Sequence, residues 1–556
     1  MTIIQKIKSL VAGRSGKKVR DALTGYIFIA PATFLIFIFG IFPVGFALYV
    51  SLHKWRIKRG AMIGLENYVN AIDNLAYVAV FFLGIGGLIG GYFLIKKILQ
   101  EACSHQEKPW LTIIPGIVHA FTIYSLGKWV FSALPEVLSI ADKLRGLPRT
   151  QEVFLQLMGE ALRTENVLRA WNIFLISFVV GIVLGGVLLY VWKNPRNANY
   201  QALCALVFLA IAGGIWLLYY TQEQISLAYQ KAFEKNIDPG IVPQFITITA
   251  GIILLFLAWV IWKKAATQAT NLRFWLYVLT TMTFLVGGWL LIGEIPTVVA
   301  SGDKDLWLGL KVTLYYALGT VPFQLSIALF LSILLFQKFK GTNFFRIVYF
   351  IPYVTPAIAS AAIFRQMFSN RHSAPVNMLM KLIGLEPQQW LFEPRGIFTL
   401  LGNYFNLTTP EWMAGPSLAL VVVILHSIWT YVGYDTVIYM AGLGNISREL
   451  VDAAEVDGAN RWEVFRYITF PLLSPTTYFL SLIAIIGTFK AFNTIWIFRD
   501  SLALGTTDTF SVTIFIEFFE KLRYGYASAM AFVLFAIILM LTFINNKVQG
   551  EKVFYG

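Results

Sequence analysis

Between two long apolar stretches lies a polar segment, Glu449 to Pro471, whose residues suit gripping another protein better than making or breaking bonds. It reads as a helix, a turn at Gly458 and a second helix stopped by Pro471. Ala453 and Ala454 favour helix and carry almost no side chain, so a partner's surface can come close to the backbone. Gly458 permits a left-handed turn that a residue with a Cβ resists. Trp462, Phe465, Ile468 and Phe470 offer apolar contacts, and Pro471 cannot continue a helix. The loop holds no catalytic residue of its own.

Other chemistry-bearing residues are sparse. Asp435 and Lys490 fall inside apolar stretches, where ionisable groups are costly and face a cavity or a partner. Counted along the helices, their depths differ by roughly 15 Å, so pairing requires a broken helix. Glu294 stands near a stretch end and reads as interfacial. Gly13 to Lys18 has two residues between its glycines where a nucleotide-binding loop needs four, and Lys18 stands where Ser or Thr is needed. His53, His105, His119, His372 and His426 show no ligand spacing, and Cys103 and Cys204 suggest neither a disulfide framework nor a metal site.

The elements that must position these residues are membrane spans. Hydrophobic residues make up 57% of the 556 and charged ones only 13%, against about 25% charged in soluble domains. Twelve apolar runs are expected to cross a bilayer, near 26–50, 76–98, 110–133, 171–192, 202–220, 241–262, 274–295, 311–336, 344–368, 417–441, 474–497 and 527–545. The fold class is therefore all-α and polytopic. The first run is too long for a signal-peptide core and reads as an uncleaved span. The net charge of +14 is spread over short connectors rather than one patch, which argues against nucleic acid. With a cytoplasmic N-terminus, the basic connectors carrying Lys96, Lys97, Lys108, Lys193, Arg196, Lys263, Lys264, Arg273, Lys338 and Lys340 all face inside, as does 449–471. Lys54, Arg56, Lys58 and Arg59 are the exception and face outside. Small-residue pairs at Gly86–Gly90, Gly87–Gly91 and Gly181–Gly185 mark helix-packing faces. Pro135–Arg169 reads as an external amphipathic stretch, and Ser369–Pro416 as an external loop with one short helix.

The spacing in 449–471 resembles the Glu-Ala-Ala loop of ABC importer permeases. Asp452-Ala453-Ala454, three residues, Gly458, nine residues, Ile468, one residue, Phe470 and Pro471 preserve every interval, with Asp for the family's Glu and Phe for its Leu. Trp307–Phe368, Gly415–Asn545, Tyr26–Ser51 and the Gly64-Leu65-Glu66-Asn67-Tyr68 run resemble the maltose-type, carbohydrate branch of that family. The resemblance implies a six-helix type I importer permease core with a six-helix insertion. The domains expected are a basic cytoplasmic tail (1–25), a first core span with its external loop (26–74), the inserted region (75–305), the rest of the core with the coupling loop (306–546) and a cytoplasmic C-terminal tail (547–556).

Functionally, the resemblance implies a subunit of the cell membrane that pairs with a second permease and forms a path for a sugar delivered by an external solute-binding protein. A partner ATPase dimer would bind ATP and Mg and grip Asp452, Ala453, Ala454, Gly458, Ile468, Phe470 and Pro471; the chain itself would carry no cofactor, metal or catalytic residue. Carried over from the family, the solute site would comprise Trp429, Val432, Gly433, Thr436, Phe489, Lys490 and Asn493, with Trp429 and Lys490 departing from the family's Asn. An ion-gradient-driven transporter is the alternative class; it calls for symmetric halves and intramembrane carboxylates, which the sequence lacks in quantity.

Overall fold

The computed structural model describes residues 14–148, 150–192, 194–234, 236, 240–265, 271–293, 301–337, 340–548 and 550. Lys6, Lys8, Gly13, Lys193, Lys338, Glu294 and most of the C-terminal tail lie outside the described residues. The chain divides into two compact units, one formed by 1–73 with 295–556 and the other by 74–294.

In chain order, the first unit begins with α1 (Arg14–Ile36), which runs through a π-turn at Phe37–Ile41 into α2 (Phe42–Ser51). A two-stranded hairpin follows, β1 (His53–Trp55) and β2 (Arg59–Met62), then α3 (Glu66–Ile72). The second unit holds α4 (Leu75–His105), α5 (Ile113–Lys143), α6 (Gln151–Leu162), α7 (Glu165–Val191), α8 (Asn197–Phe233), α9 (Ile241–Ala265) and α10 (Asn271–Ile292). The first unit resumes with α11 (Lys304–Phe336), α12 (Thr342–Val354), α13 (Ala357–Met367), α14 (Pro375–Leu382), α15 (Ile397–Tyr404), α16 (Leu418–Gly444), α17 (Arg448–Val456), α18 (Arg461–Val464), α19 (Phe470–Leu472), α20 (Ser474–Phe489), α21 (Asn493–Phe498), α22 (Phe510–Phe515) and α23 (Tyr524–Val548).

Ten of the described helices are long and apolar enough to cross a membrane, and two bent pairs bring the number to twelve. Two expected spans are broken. The run at 344–368 is α12 and α13, meeting at 94°. The cause is local: Pro356 forces Thr355 into extended backbone and ends α12. The run at 474–497 is α20 and α21, separated at Lys490–Phe492. The carbonyls freed there are not left bare, since Ser511 Oγ donates to Phe489 O at 2.9 Å and Thr509 Oγ1 to Ala491 O at 3.3 Å. Three further segments take a definite form. The helix of the span starting at 110 continues through Pro135 to Lys143, so the expected amphipathic stretch begins as an extension of that helix. The segment 369–416 holds two α-helices, not one. The basic connector after the first span forms the β-hairpin, closed by Ile63 N donating to Leu52 O at 2.9 Å.

In the first unit α16 is the central element. Ser417 caps it by accepting from Leu420 N at 3.1 Å, and its first two turns are covered, so Leu418, Val422, Val423 and Ile424 form a core with Val312, Tyr316, Trp390 and Phe498. In the second unit, glycine lets α4 and α8 touch backbone to backbone: a Cβ on Gly87 would meet Ala210 O at 2.8 Å and one on Gly91 the Ile211 side chain at 2.6 Å. Of the glycine pairs read from sequence, Gly86 and Gly90 face open space, while Gly181 and Gly185 make room for the His119 ring between α5 and α7. His119 lies 3.3 Å from Gln201 Oε1, and Gln201 Nε2 donates to Asn197 Oδ1 at 2.9 Å, which satisfies polar groups held inside an apolar bundle.

Candidate functional site

Segment 449–471 folds as two short helices joined by a tight turn. Ser447 caps α17 by accepting from Glu449 N at 3.2 Å. At its C-terminus the chain turns through Gly458 at φ +86°, with Ala459 N donating to Ala454 O at 2.9 Å and Gly458 N to Glu455 O at 3.1 Å. Asn460 then starts α18 with a capping box: its Oδ1 accepts from Trp462 N and Glu463 N, both at 3.0 Å, and Glu463 Oε2 accepts from Asn460 N at 2.7 Å. The turn is therefore fixed from both sides by backbone and caps, not by packing.

Helix α17 has no buried residue. Asp452, Ala453 and Gly458 are exposed, and nothing lies within 4 Å of where a Gly458 Cβ would be. Leu450, Val456, Trp462, Tyr467 and Phe470 are exposed as well, and Val456 at 87% is as open as a free side chain. Ile468 and Pro471 are half-buried. Leu473 is fully buried and roots the loop in the core beside Tyr439 and Leu443. One expectation is corrected here: Pro471 does not stop the helix. The backbone winds through a π-turn at Phe465–Thr469 into α19 and bends by 61° at Leu473. Pro475, lacking an N–H, is the residue that cannot continue the hydrogen-bond ladder back to Pro471.

The seven residues aligned as solute contacts divide into two groups. Trp429, Lys490 and Asn493 are exposed, and Trp429 packs on Phe364 with ring centroids 5.2 Å apart. Val432, Gly433, Thr436 and Phe489 are buried within the chain. Gly433 lets α12 and α16 meet so closely that its Cβ would overlap the carbonyl of Tyr349. Thr436 Oγ1 donates to Val432 O at 2.7 Å, and Phe489 packs with Ala317 and Phe510. Lys490 and Asn493 flank the break between α20 and α21, which brings irregular backbone and two polar side chains to one level of an apolar bundle.

Asp435 takes no part with Lys490. It is 3% exposed and accepts a 2.6 Å hydrogen bond from Gln324 Nε2 on α11. Gln324 stands two residues after Pro322 in an apolar run, and only the packing of α11 on α16 selects it as this partner. His426 is likewise structural, with Nε2 3.0 Å from Ser360 Oγ. Arg365, an uncompensated cation at the end of an apolar run, is a further residue that spacing alone did not single out. Its guanidinium donates to Ile497 O at 2.7 Å, to Arg499 O at 3.4 Å and to Asp500 Oδ2 at 2.8 Å. Among the described residues no group of His, Cys, Asp and Glu is placed to hold a metal ion.

With this geometry in view, comparison with known proteins is informative. Residues 324–549 match the family described as binding-protein-dependent transport system inner membrane component. A probable ABC transporter permease protein of Bacillus subtilis, YesP, is 33% identical over 258 residues, covering 46% of this chain and 76% of its own. The lactose transport system permease protein LacF of Rhizobium radiobacter is 27% identical, over 45% of this chain and 78% of its own. The arabinooligosaccharides transport system permease protein AraP of Bacillus subtilis is 29% identical, over 44% and 71%. The match takes in the broken spans, the coupling loop and the last span, the parts that carry the geometry above. The chain belongs to the binding-protein-dependent transport system inner membrane component family, and is a multi-pass permease subunit of an ABC importer, a transport component and not an enzyme.

Proposed function

We propose that the chain forms, with a second permease subunit, the membrane path for a sugar or oligosaccharide handed over by an external binding protein, and that a separate ATPase dimer drives it through 449–471. The observation that carries this reading is the loop: a turn locked by its own caps, rooted at Leu473, which presents Leu450, Val456, Trp462, Tyr467 and Phe470 as exposed side chains. Exposed aromatic and aliphatic anchors on a rigid, small-residue helix suit insertion into a partner's cleft. ATP and Mg would be bound by that partner, both termini would be cytoplasmic, and closure of the ATPase dimer would move the loop as a body and switch the core between two states.

The sugar assignment is supported by relatives named for lactose and arabinooligosaccharide transport. Trp429 offers an exposed aromatic face, and Lys490 and Asn493 offer donors at a helix break, the chemistry a sugar needs. Val432, Gly433, Thr436 and Phe489 are buried, so a solute that meets them requires the other conformation of the core. The test is uptake into proteoliposomes carrying the chain with its partner permease, ATPase and binding protein. Uptake of sugar that requires both ATP and the binding protein is expected; uptake driven by an ion gradient without ATP overturns the reading.

A further inference from the structure

The external placement of Lys54, Arg56, Lys58 and Arg59 runs against the preference of basic residues for the cytoplasmic side. The fold gives these four cations a rigid mount. They lie on or between β1 and β2, paired antiparallel with His53 opposite Met62 and Trp55 opposite Arg59. The base of the hairpin is tied to the span beneath it. Asn67 Nδ2 donates to Ser51 O at 2.8 Å and to His53 O at 3.0 Å, His53 Nδ1 lies 2.7 Å from Tyr49 O, and Gly525 leaves room for the His53 carbonyl. Trp55 packs edge-on to Phe46 and Tyr49 with centroids 6.0 and 6.4 Å away.

On this mount all four cations are exposed, and among the described residues none of them forms an ion pair. Between Arg56 and Lys58 the tip presents Ile57 at 76% exposure, and Met62 on β2 is 63% exposed. An apolar residue flanked by cations, above a half-buried tryptophan, is the pattern of a segment that sits in a membrane interface. Depth agrees. The span ends at Ser51 and β1 begins at His53, so the hairpin leaves directly from the end of the span. Strands of this length reach roughly 10 Å, comparable to the headgroup layer of a bilayer.

We propose that the hairpin 53–62 is an interfacial anchor whose four cations bind the phosphates of anionic phospholipids at the outer surface. The inference rests on the external placement of the hairpin in the reading above, not on the identity of the solute. Headgroup phosphates offset the cost of holding four cations on the unfavoured side, and a rigid β-hairpin keeps Ile57 and Trp55 at one depth.

The experiment uses the full chain in nanodiscs of phosphatidylcholine alone or with phosphatidylglycerol, reading hydrogen exchange over 52–64. Phosphatidylglycerol is expected to slow exchange roughly fivefold, the size of one Lys or Arg contact with an anionic surface, and high salt is expected to abolish the difference. The variant combining K54Q, R56Q, K58Q and R59Q should lose the lipid dependence while its thermal unfolding stays unchanged. Equal exchange in both lipids overturns the proposal. So does exchange that ignores lipid but slows on addition of an acidic external binding protein, which would assign the hairpin to protein docking. Placement is checked separately with I57C in a C103S, C204S background: labelling of intact cells by an impermeant maleimide is expected, and labelling confined to inverted vesicles overturns the placement itself.

Discussion

Arg365 on α13 and Asp500, just beyond α21, are joined by a 2.8 Å salt bridge, and the same guanidinium donates to the carbonyls of Ile497 and Arg499. One cation thus ties together the second halves of the two broken spans. Two of its three partners are carbonyls at the C-terminal end of a short helix, groups with no intrahelical donor of their own. Arg499 extends the arrangement, donating from Nε to both oxygens of Asp508 at 3.0 and 3.1 Å.

Replacing Arg365 should therefore loosen both half-helices at once. R365A leaves the Ile497 and Arg499 carbonyls without this donor and is expected to cost about 2–3 kcal/mol, seen as a lower unfolding temperature in detergent. R365K should recover only part, because an ammonium cannot reproduce the planar fork that reaches three acceptors.

Gln324 and Asp435 form the buried polar contact between α11 and α16. Q324L should destabilise by about 1–3 kcal/mol, since it strands the carboxyl in an apolar bundle. The double variant Q324L with D435L should be less destabilised than Q324L alone, because removing both partners leaves nothing unsatisfied. A double-mutant cycle on unfolding temperatures reads the difference.

Gly433 permits the contact of α16 with the Tyr349 carbonyl on α12. G433V puts a branched side chain against backbone that no rotamer can avoid, so the chain should accumulate poorly or lose about 3 kcal/mol. G87A, where a Cβ meets the Ala210 carbonyl at 2.8 Å, should be milder because the helices can part slightly.

Much of this was legible in the sequence, but unevenly. The length and apolarity of 418–444 determine a span whatever it packs against, and the intervals from Asp452 to Pro471 locate a turn that Gly458 then makes at φ +86°. The break at Thr355 was also readable, because Pro356 restricts the residue before it. The break at Lys490 was not, since no proline or glycine marks it. It depends on Thr509 and Ser511, about twenty residues later, arriving to satisfy the carbonyls. The partners of Asp435 and Arg365 were hidden for the same reason: each is chosen by how helices distant in sequence pack.

The segment 369–416 offers a pH test. Glu393 is held below the ordinary carboxylate range chiefly by the Arg395 side chain, whose Nε and Nη2 each donate at 2.8 Å, with burial working the other way and the Arg395 N–H adding support. A carboxyl lowered on folding stabilises the fold above its ordinary value of 4.5, and that contribution fades as pH falls from there through the lowered value. The gap in unfolding temperature between the unaltered chain and E393Q should be constant near neutrality and close only below about pH 4.5.

The most direct test of the central claim is the amount of ATPase subunit that stays with the chain on purification, for the unaltered protein and for G458V, with unfolding temperature measured alongside. A Cβ at Gly458 would meet nothing in its own chain, so the rest of the fold should be preserved, while a branched residue cannot hold φ +86° and must open the turn. Loss of the ATPase from a chain that unfolds at nearly its normal temperature is the expected result. Full retention of the ATPase by G458V would contradict the account.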